Sequence, residues 1–489
     1  MSSKSVIVIG GGLAGLSAGV ALAEAGFRVR LYEKRPHLGG RAASYVLPGG
    51  EHVDNCQHVT LGCCTNLADF YRRVGAAGKI RFYDRLVFAD STGRRGTMET
   101  CSLPAPMHMA GSFAAFPLLD WRDKRAIGAA LVAIARAGGR PDDANGGVTM
   151  LDWLRRRGQT EAAISRFWGV VLVSALDEEL SRTDARYGID VFWKAFLSNR
   201  TGYTVGIPSV PLGELYGGCL AAIERRGGEA RLRAAVRGIA VEDGRAAGVE
   251  FDSGARELAD YYIVAVPHDA LPSLLPAEVV QRHAEFRDLG NLRSSPITGV
   301  HLWLDREVMS EPFLTVVDRT TQWIFNKTRL SESVTDGRNE SNGANGANRA
   351  SNANGSNAAL QYLQLVISAS YDLIPRSRQE ILALAWRELC EVVPAAREAR
   401  LVKGTVIKET AATFSPEPGC DRWRPAQTSP VANLYLAGDW TATGWPATME
   451  GAVRSGYLAA EAVLAAAGAP ERLLRPELPT EGLSRWWAG

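Results

Sequence analysis

The stretch Val6-Ile7-Val8-Ile9-Gly10-Gly11-Gly12-Leu13-Ala14-Gly15 decides the fold, because an apolar run feeds straight into a glycine turn and a helix start. Glycines 10, 12 and 15 have the G-x-G-x-x-G spacing, which lets backbone amides approach a pyrophosphate and lets the next helix pack close on the sheet. A helix start holding a dianion is sound electrostatics. The spacing predicts a helix over 13–25, stopped by Gly26, with small residues Ala14, Ser17, Ala18 and Ala21 for close packing. A second strand over 28–32 runs into Glu33, placed where an acid accepts hydrogen bonds from an adenosine ribose. This fingerprint fits NAD or FAD. The later Gly39-Gly40-Arg41 suits the longer flavin dinucleotide, whose phosphates take a further charged partner, although a surface turn with a solvated arginine has the same outline.

At 489 residues the chain has room for two or three domain-sized cores. A net charge of +2, with 22% charged residues and no long basic block, argues against nucleic acid as a partner. The N-terminus enters the first strand without a secretory leader, and no apolar stretch reaches transmembrane length, so a cytoplasmic protein is expected. The seven cysteines form no C-x-x-C pair and read as reduced thiols, including the cluster Cys56, Cys63 and Cys64. Neither they nor the histidines have metal-site spacing, so no metal is expected.

Beyond the second turn, Glu51-His52-Val53-Asp54-Asn55-Cys56-Gln57-His58-Val59 is a polar knot between apolar segments. Such knots serve turns and caps; functionally, His58, Gln57 or Asp54 would supply a proton or polarise a leaving group near the redox ring. Residues 103–138 join an apolar loop to Trp121-Arg122-Asp123-Lys124-Arg125 and a helix with Ile127, Leu131 and Ile134 on one face. That pattern describes a monotopic membrane contact and equally a helix packed on its own domain. A capping-box spacing at Thr149–Asp152 and a helical region over 167–180 follow, then Phe192, Trp193 and Phe196 at helical spacing, aromatics suited to a core or to a hydrocarbon pocket. Asp177-Glu178-Glu179 reads as a solvated helix end or as an acid facing the cavity.

From residue 236 short strands and Gly-containing turns form a β-meander ending in Ile263-Val264-Ala265-Val266, a return to the parallel sheet that makes the nucleotide domain discontinuous. Residues 331–358, rich in Asn, Gly, Ser and Ala, read as a disordered excursion between strands near 322–325 and 362–365. Near the C-terminus, Leu434-Tyr435-Leu436-Ala437-Gly438-Asp439 is a strand and Gly-Asp turn, followed by a helix from about Glu450. Asp439 is placed for a ribityl chain, and the helix start for the flavin pyrimidine edge. The two glycine-bearing motifs jointly favour FAD over NAD.

These residues resemble the amine oxidase and phytoene desaturase superfamily of flavoproteins: the G-G-G-L-A-G-L-S-A start with Glu33 and Gly39-Gly40-Arg41, the V-A-V-P-H at 264–268, and the 434–456 segment from L-Y-L-A-G-D-W to E-G-A-V-R-S-G. Within it, Asp54-Asn55-Cys56-Gln57-His58-Val59 with Leu61-Gly62-Cys63 is similar to the D-N-x-Q-H-V-x-L-G-C of the squalene-associated desaturases, the hydroxysqualene dehydroxylases of hopanoid biosynthesis, many of which have glycine where Cys56 stands. The resemblance implies an α/β fold with a Rossmann-type FAD domain over 1–95, 206–275 and 426–470. A mixed-sheet and helical substrate domain takes 96–205 and 276–425, and a tail 471–489. It implies cofactor contacts at Gly10, Gly12, Leu13, Ala14, Gly15, Glu33, Lys34, Gly40, Arg41, Ala42, Val236 (through its backbone), Gly438, Asp439, Met449 and Glu450.

The implied reaction removes a hydroxyl from a C30 isoprenoid. An acid, His58 or Asp54, protonates it, the allylic cation rests near the π-face of Trp440 or Trp445, and reduced flavin supplies hydride to give squalene. An unidentified electron donor and a peripheral membrane contact complete the expectation. The alternatives are desaturation of a carotenoid precursor such as phytoene, or a non-catalytic flavin-binding component of a membrane complex. Amine oxidation would call for more acidic cavity residues.

Overall fold

Ser5–Ile9 is the middle strand of a five-stranded parallel sheet ordered Glu229–Leu232, Arg28–Glu33, Ser5–Ile9, Tyr261–Val264, Leu434–Leu436. The computed structural model describes residues 4–140, 147–332 and 360–487. Val6 through Ile9 are all buried, which a parallel strand covered on both faces requires. From Ser5–Ile9 the sheet grows one way through Arg28–Glu33 and the other way through Tyr261–Val264, so the crevice between those halves opens at Ile9 and Val264.

Leu13–Glu24 is the helix that the glycine spacing predicts, one residue shorter, and Gly26 follows at φ +91°. It packs against Met449–Ala466, where a Cβ on Gly456 would overlap Ser17 and the Ala14 carbonyl. The meander forms a separate antiparallel sheet of Val236–Glu242, Arg245–Phe251 and Arg256–Glu257 before Tyr261–Val264 returns to the parallel one.

A second sheet of seven strands is ordered Leu401–Phe414, Ser294–Leu304, Gln361–Ile367, Trp323–Asn326, Phe313–Val316, Leu86–Ala89, Arg95–Met98. Leu86–Ala89 and Arg95–Met98 therefore belong to this sheet and not to the first nucleotide segment, because Leu86–Ala89 pairs in parallel with Phe313–Val316. The strands expected on either side of the insert pair with each other; the insert lies outside the described residues but for its first two. One sheet face, with Val300, Leu302, Leu363 and Leu365, packs on helix Arg378–Val392. The alternating residues, Phe313, Trp323, Phe325 and Val366, face the helical layer.

In that layer, helix Trp121–Arg136 buries Ile127, Ala130 and Ile134, so its apolar stripe serves the core, while Trp121 at its start is 67% exposed. Asp120 and Asp123 cap it reciprocally. Two π-helical turns, Ile164–Gly169 and Phe192–Leu197, bring Trp168 and Phe192 ring to ring at 4.4 Å. The helical region expected to reach residue 180 stops at Leu176, where Asp177 turns left-handed at φ +52°.

Candidate cofactor and redox site

Gly10 has φ +109°, and a Cβ there would stand 2.5 Å from the Ala265 carbonyl oxygen; on Gly15 it would overlap the Gly10 carbonyl. Both glycines are needed to bring strand end, turn and helix together. Gly12 differs: the nearest heavy atom to its would-be Cβ is Gly40 Cα at 3.8 Å. Gly12 is also the N-cap of Leu13–Glu24, with no side-chain cap and no acid in the first turn, so the opening amides of Leu13, Ala14 and Gly15 suit an anion. The second turn lies directly against the first, Gly39 N donating to Gly11 O at 2.9 Å.

Glu33 is buried and accepts from the amides of Gly11 and Arg35, each at 2.7 Å. Ala234 N donates to Glu33 O, which carries the backbone before Val236 to the same end of the sheet.

Gly438 follows the last parallel strand at φ +151°, and its amide donates to Ser455 Oγ at 2.8 Å. The adjacent Asp439 pairs with Arg41 at 2.5 Å, across 398 residues of sequence. Arg41 also donates to Ala412 O at 2.9 Å, and its carbonyl accepts from Asn55 Nδ2. Both glycine-bearing turns and the polar knot thus meet at one arginine. Its expected partner was a phosphate; here its charge is matched by Asp439.

In the knot, Asp54 Oδ2 lies 3.0 Å from Lys327 Nζ, which also donates to Gln57 Oε1 at 2.8 Å. Asp54 Oδ1 accepts from Ser44 Oγ at 2.7 Å and from Leu212 N at 3.1 Å. Burial works against the charged carboxyl, but Lys327 and these donors outweigh it and hold Asp54 below the usual range. His58 Nδ1 lies 3.0 Å from Cys56 O, and burial lowers its basicity despite that acceptor. Lys327 thus favours the charged form of Asp54 and burial the neutral form of His58, which counts against either as the proton donor.

Residues 13–464 match the description flavin-containing amine oxidoreductase. The chain belongs to that family. It is 26% identical over 481 residues to the 15-cis-phytoene desaturase of Synechococcus elongatus, covering 94% of this chain and 96% of that one. To the zeta-carotene desaturase of a Synechocystis species it is 26% identical over 479 residues, covering 94% and 97%. Among solved structures, an oxidoreductase from Methanosarcina mazei superposes with TM-score 0.70 at 19% identity, over 94% of this chain and 100% of that one. Cyclohexylamine oxidase from Brevibacterium oxydans superposes with TM-score 0.68 at 17% identity, over 95% and 100%.

The protein is an FAD-dependent oxidoreductase, and its residues fit that cofactor: an uncapped glycine-rich helix start, a buried acid at the ribose end of the second strand, and a second turn meeting the first. Lys34 and Ala42 flank these groups in sequence. Glu450 needs correction. Its carboxylate accepts from Leu67 N at 2.7 Å and Asn66 Nδ2 at 2.8 Å, capping helix Thr65–Arg73, so its side chain is spent on the protein. Met449 Sδ faces Tyr71 Oη at 3.8 Å.

The flavoenzyme also holds groups that the sequence did not single out. Lys327, directly after strand Trp323–Asn326, has no local signal, since its partner Asp54 is 273 residues away. On the inner face of the large sheet His301 sits opposite Gln364, and its Nδ1 lies 2.7 Å from Tyr362 Oη. Burial drives the His301 imidazole down to about 3, so it is neutral. Asp177 and Glu178, which the sequence did single out, are 4% and 0% exposed, which overturns the solvated helix end for these two.

Proposed function

We propose that this flavoenzyme removes the hydroxyl of hydroxysqualene to give squalene, a step of hopanoid biosynthesis. The observation that carries the reading is a set of buried polar atoms left without partners. Asn55 Oδ1, His301 Nε2 and Gln364 Oε1 have no hydrogen-bond partner among the described residues. A Cβ on Gly299 would stand 3.0 Å from the Asn55 backbone carbonyl and 3.8 Å from both His301 Nε2 and Gln364 Nε2, so these three residues gather at Gly299. Buried polar atoms are ordinarily satisfied, and each that is not costs about 1–3 kcal/mol. A substrate hydroxyl, with one donor and two lone pairs, would donate to one of the amide oxygens and accept from a ring or amide N–H beside it. Along the same sheet face, Phe325, Phe313 and Val366 are apolar and Trp323 spends its Nε1 on Ser174 Oγ, which suits the hydrocarbon remainder.

The relatives' printed names, phytoene and zeta-carotene desaturase, add support for a long isoprenoid. The bound cofactor, when reduced, is the source of hydride. The chain's own residues orient the hydroxyl, exclude water through the surrounding core, and anchor the glycine turns through Arg41 and Asp439. An electron donor restores the reduced state. Exposed Leu103, Met107 and Trp121 support a shallow peripheral contact with the inner face of the cell membrane, from which such a substrate would be drawn. No helix among the described residues is long and apolar enough to cross a membrane.

Desaturation is the second reading, favoured by the identity to desaturases over nearly the whole chain. Anaerobic incubation of prereduced and of oxidised enzyme with hydroxysqualene, squalene and phytoene, followed by product analysis, separates them. Dehydroxylation requires squalene from the prereduced enzyme alone. A new double bond formed by the oxidised enzyme, with the alcohol untouched, sinks it.

A further inference from the structure

Asp177 ends helix Val170–Leu176 in a left-handed conformation that turns its side chain into the interior, between the helical layer and two strand ends. Its Oδ1 accepts from Ala369 N at 2.8 Å, just past strand Gln361–Ile367, and its Oδ2 accepts from Thr413 Oγ1 at 2.9 Å, near the end of Leu401–Phe414. Among the described residues no cation lies within ion-pairing distance of it. The adjacent Glu178 is supplied quite differently. It accepts from Tyr371 Oη at 2.7 Å and from Ser415 Oγ, with Arg182 Nε at 3.6 Å. Two neighbouring carboxyls thus have different surroundings, one with an arginine in reach and one without.

The position of Asp177 ties it to the site. Ala412, one residue before its Thr413 partner, takes the Arg41 guanidinium. Ser370, one residue after Ala369, bonds Thr298 Oγ1 at 2.9 Å on the opposite sheet face from Gly299; the link to the unpartnered groups is Cys56, the neighbour of Asn55, which faces Asp177. The titratable groups facing Asp177 are Glu178 and the Cys56 thiol, itself pushed up to about 12 by burial and next by Asp177.

We propose that the Asp177 carboxyl is the proton donor to the departing hydroxyl, an assignment that rests on the dehydroxylation reading. In the step, the Asp177 O–H bond breaks and its proton joins the substrate oxygen. The carbon–oxygen bond breaks with both electrons on oxygen, and water leaves. The electron-poor carbon gains hydride, for which the reduced cofactor is the two-electron reductant, and Asp177, left as carboxylate, regains a proton from water. Burial supports the assignment by raising the Asp177 carboxyl well above the usual range, against the Ala369 and Thr413 donors and with the Glu178 charge.

The test uses flavin-loaded protein. Asp177→Asn keeps the shape and the Ala369 hydrogen bond, with the Thr413 hydroxyl turned to accept from the amide, and is expected to slow single-turnover formation of squalene by about 10²- to 10⁴-fold, the range for a general acid, with FAD absorbance and affinity unchanged. Infrared difference spectra of the wild type at a pH where it is active should hold a protonated-carboxyl band that Asp177→Asn lacks. The wild-type rate should fall as pH rises through the Asp177 value, and Thr413→Val, which removes a donor to the carboxylate, should move that limb upward. Full turnover by Asp177→Asn, a missing band in active wild type, or an unmoved limb in Thr413→Val overturns the role alone. A wild type that shows the band yet leaves hydroxysqualene untouched overturns the reaction reading, and the role with it.

Discussion

Replacing Gly12 with alanine should separate cofactor binding from folding. Gly12 has φ −77° and ψ 175°, a conformation any residue adopts, and its would-be Cβ meets nothing nearer than Gly40 Cα at 3.8 Å. In the protein without cofactor the substitution strains nothing; the gain of about 0.4–1 kcal/mol from restricting the unfolded chain is set against alanine's poorer N-cap, so stability should stay within about 1 kcal/mol of wild type. The same methyl stands over the helix start where the pyrophosphate must approach the backbone. Loss of one charge-assisted hydrogen bond, about 1.5–3 kcal/mol, weakens FAD about 10- to 150-fold. Gly15→Ala is the control, because its Cβ overlaps the Gly10 carbonyl and should cost the fold itself about 3 kcal/mol, at the upper end of ordinary overpacking. Urea unfolding of the apoprotein, followed by tryptophan fluorescence, and titration with FAD give the two quantities. Gly12→Ala that binds FAD normally, or that is as unstable as Gly15→Ala, refutes the assignment of this turn to the pyrophosphate.

Lys327→Met should destabilise the flavin-loaded protein by about 3–5 kcal/mol, because it leaves the buried Asp54 carboxylate without its cation; adding Asp54→Asn should recover most of that in a double-mutant cycle of chemical unfolding. The folded-state pKa of Asp54 is lowered, so its contribution is complete above the unfolded carboxyl value, about 3.9, and is lost as pH falls through the lower folded value. Melting temperature measured against pH should therefore fall more steeply on the acid side for wild type than for Asp54→Asn. Glu450→Gln should lower the melting temperature by weakening the cap on helix Thr65–Arg73 while FAD affinity holds; a change in affinity without one in stability would return Glu450 to the cofactor.

The glycine turns were legible in the sequence because their chemistry is local. Gly10 and Gly15 are required by a strand, a tight turn and a helix within a dozen residues, and a run such as Val6–Ile9 admits few placements other than a buried parallel strand. The return strand at Tyr261–Val264 was legible for the same reason. What the sequence left undetermined are the partners of charged side chains. Lys327 reaches Asp54 across 273 residues, Glu450 reaches Leu67 across 383, and Asp177 meets Ala369 and Thr413 across 192 and 236. Local pattern records that a carboxyl is present; whether it keeps its proton depends on which donors and cations the folded chain brings within about 3 Å, and on how far water is excluded. That is why the polar knot suggested Asp54 and His58 as acids, while the proposal of Asp177 rests on surroundings that only the tertiary structure assembles.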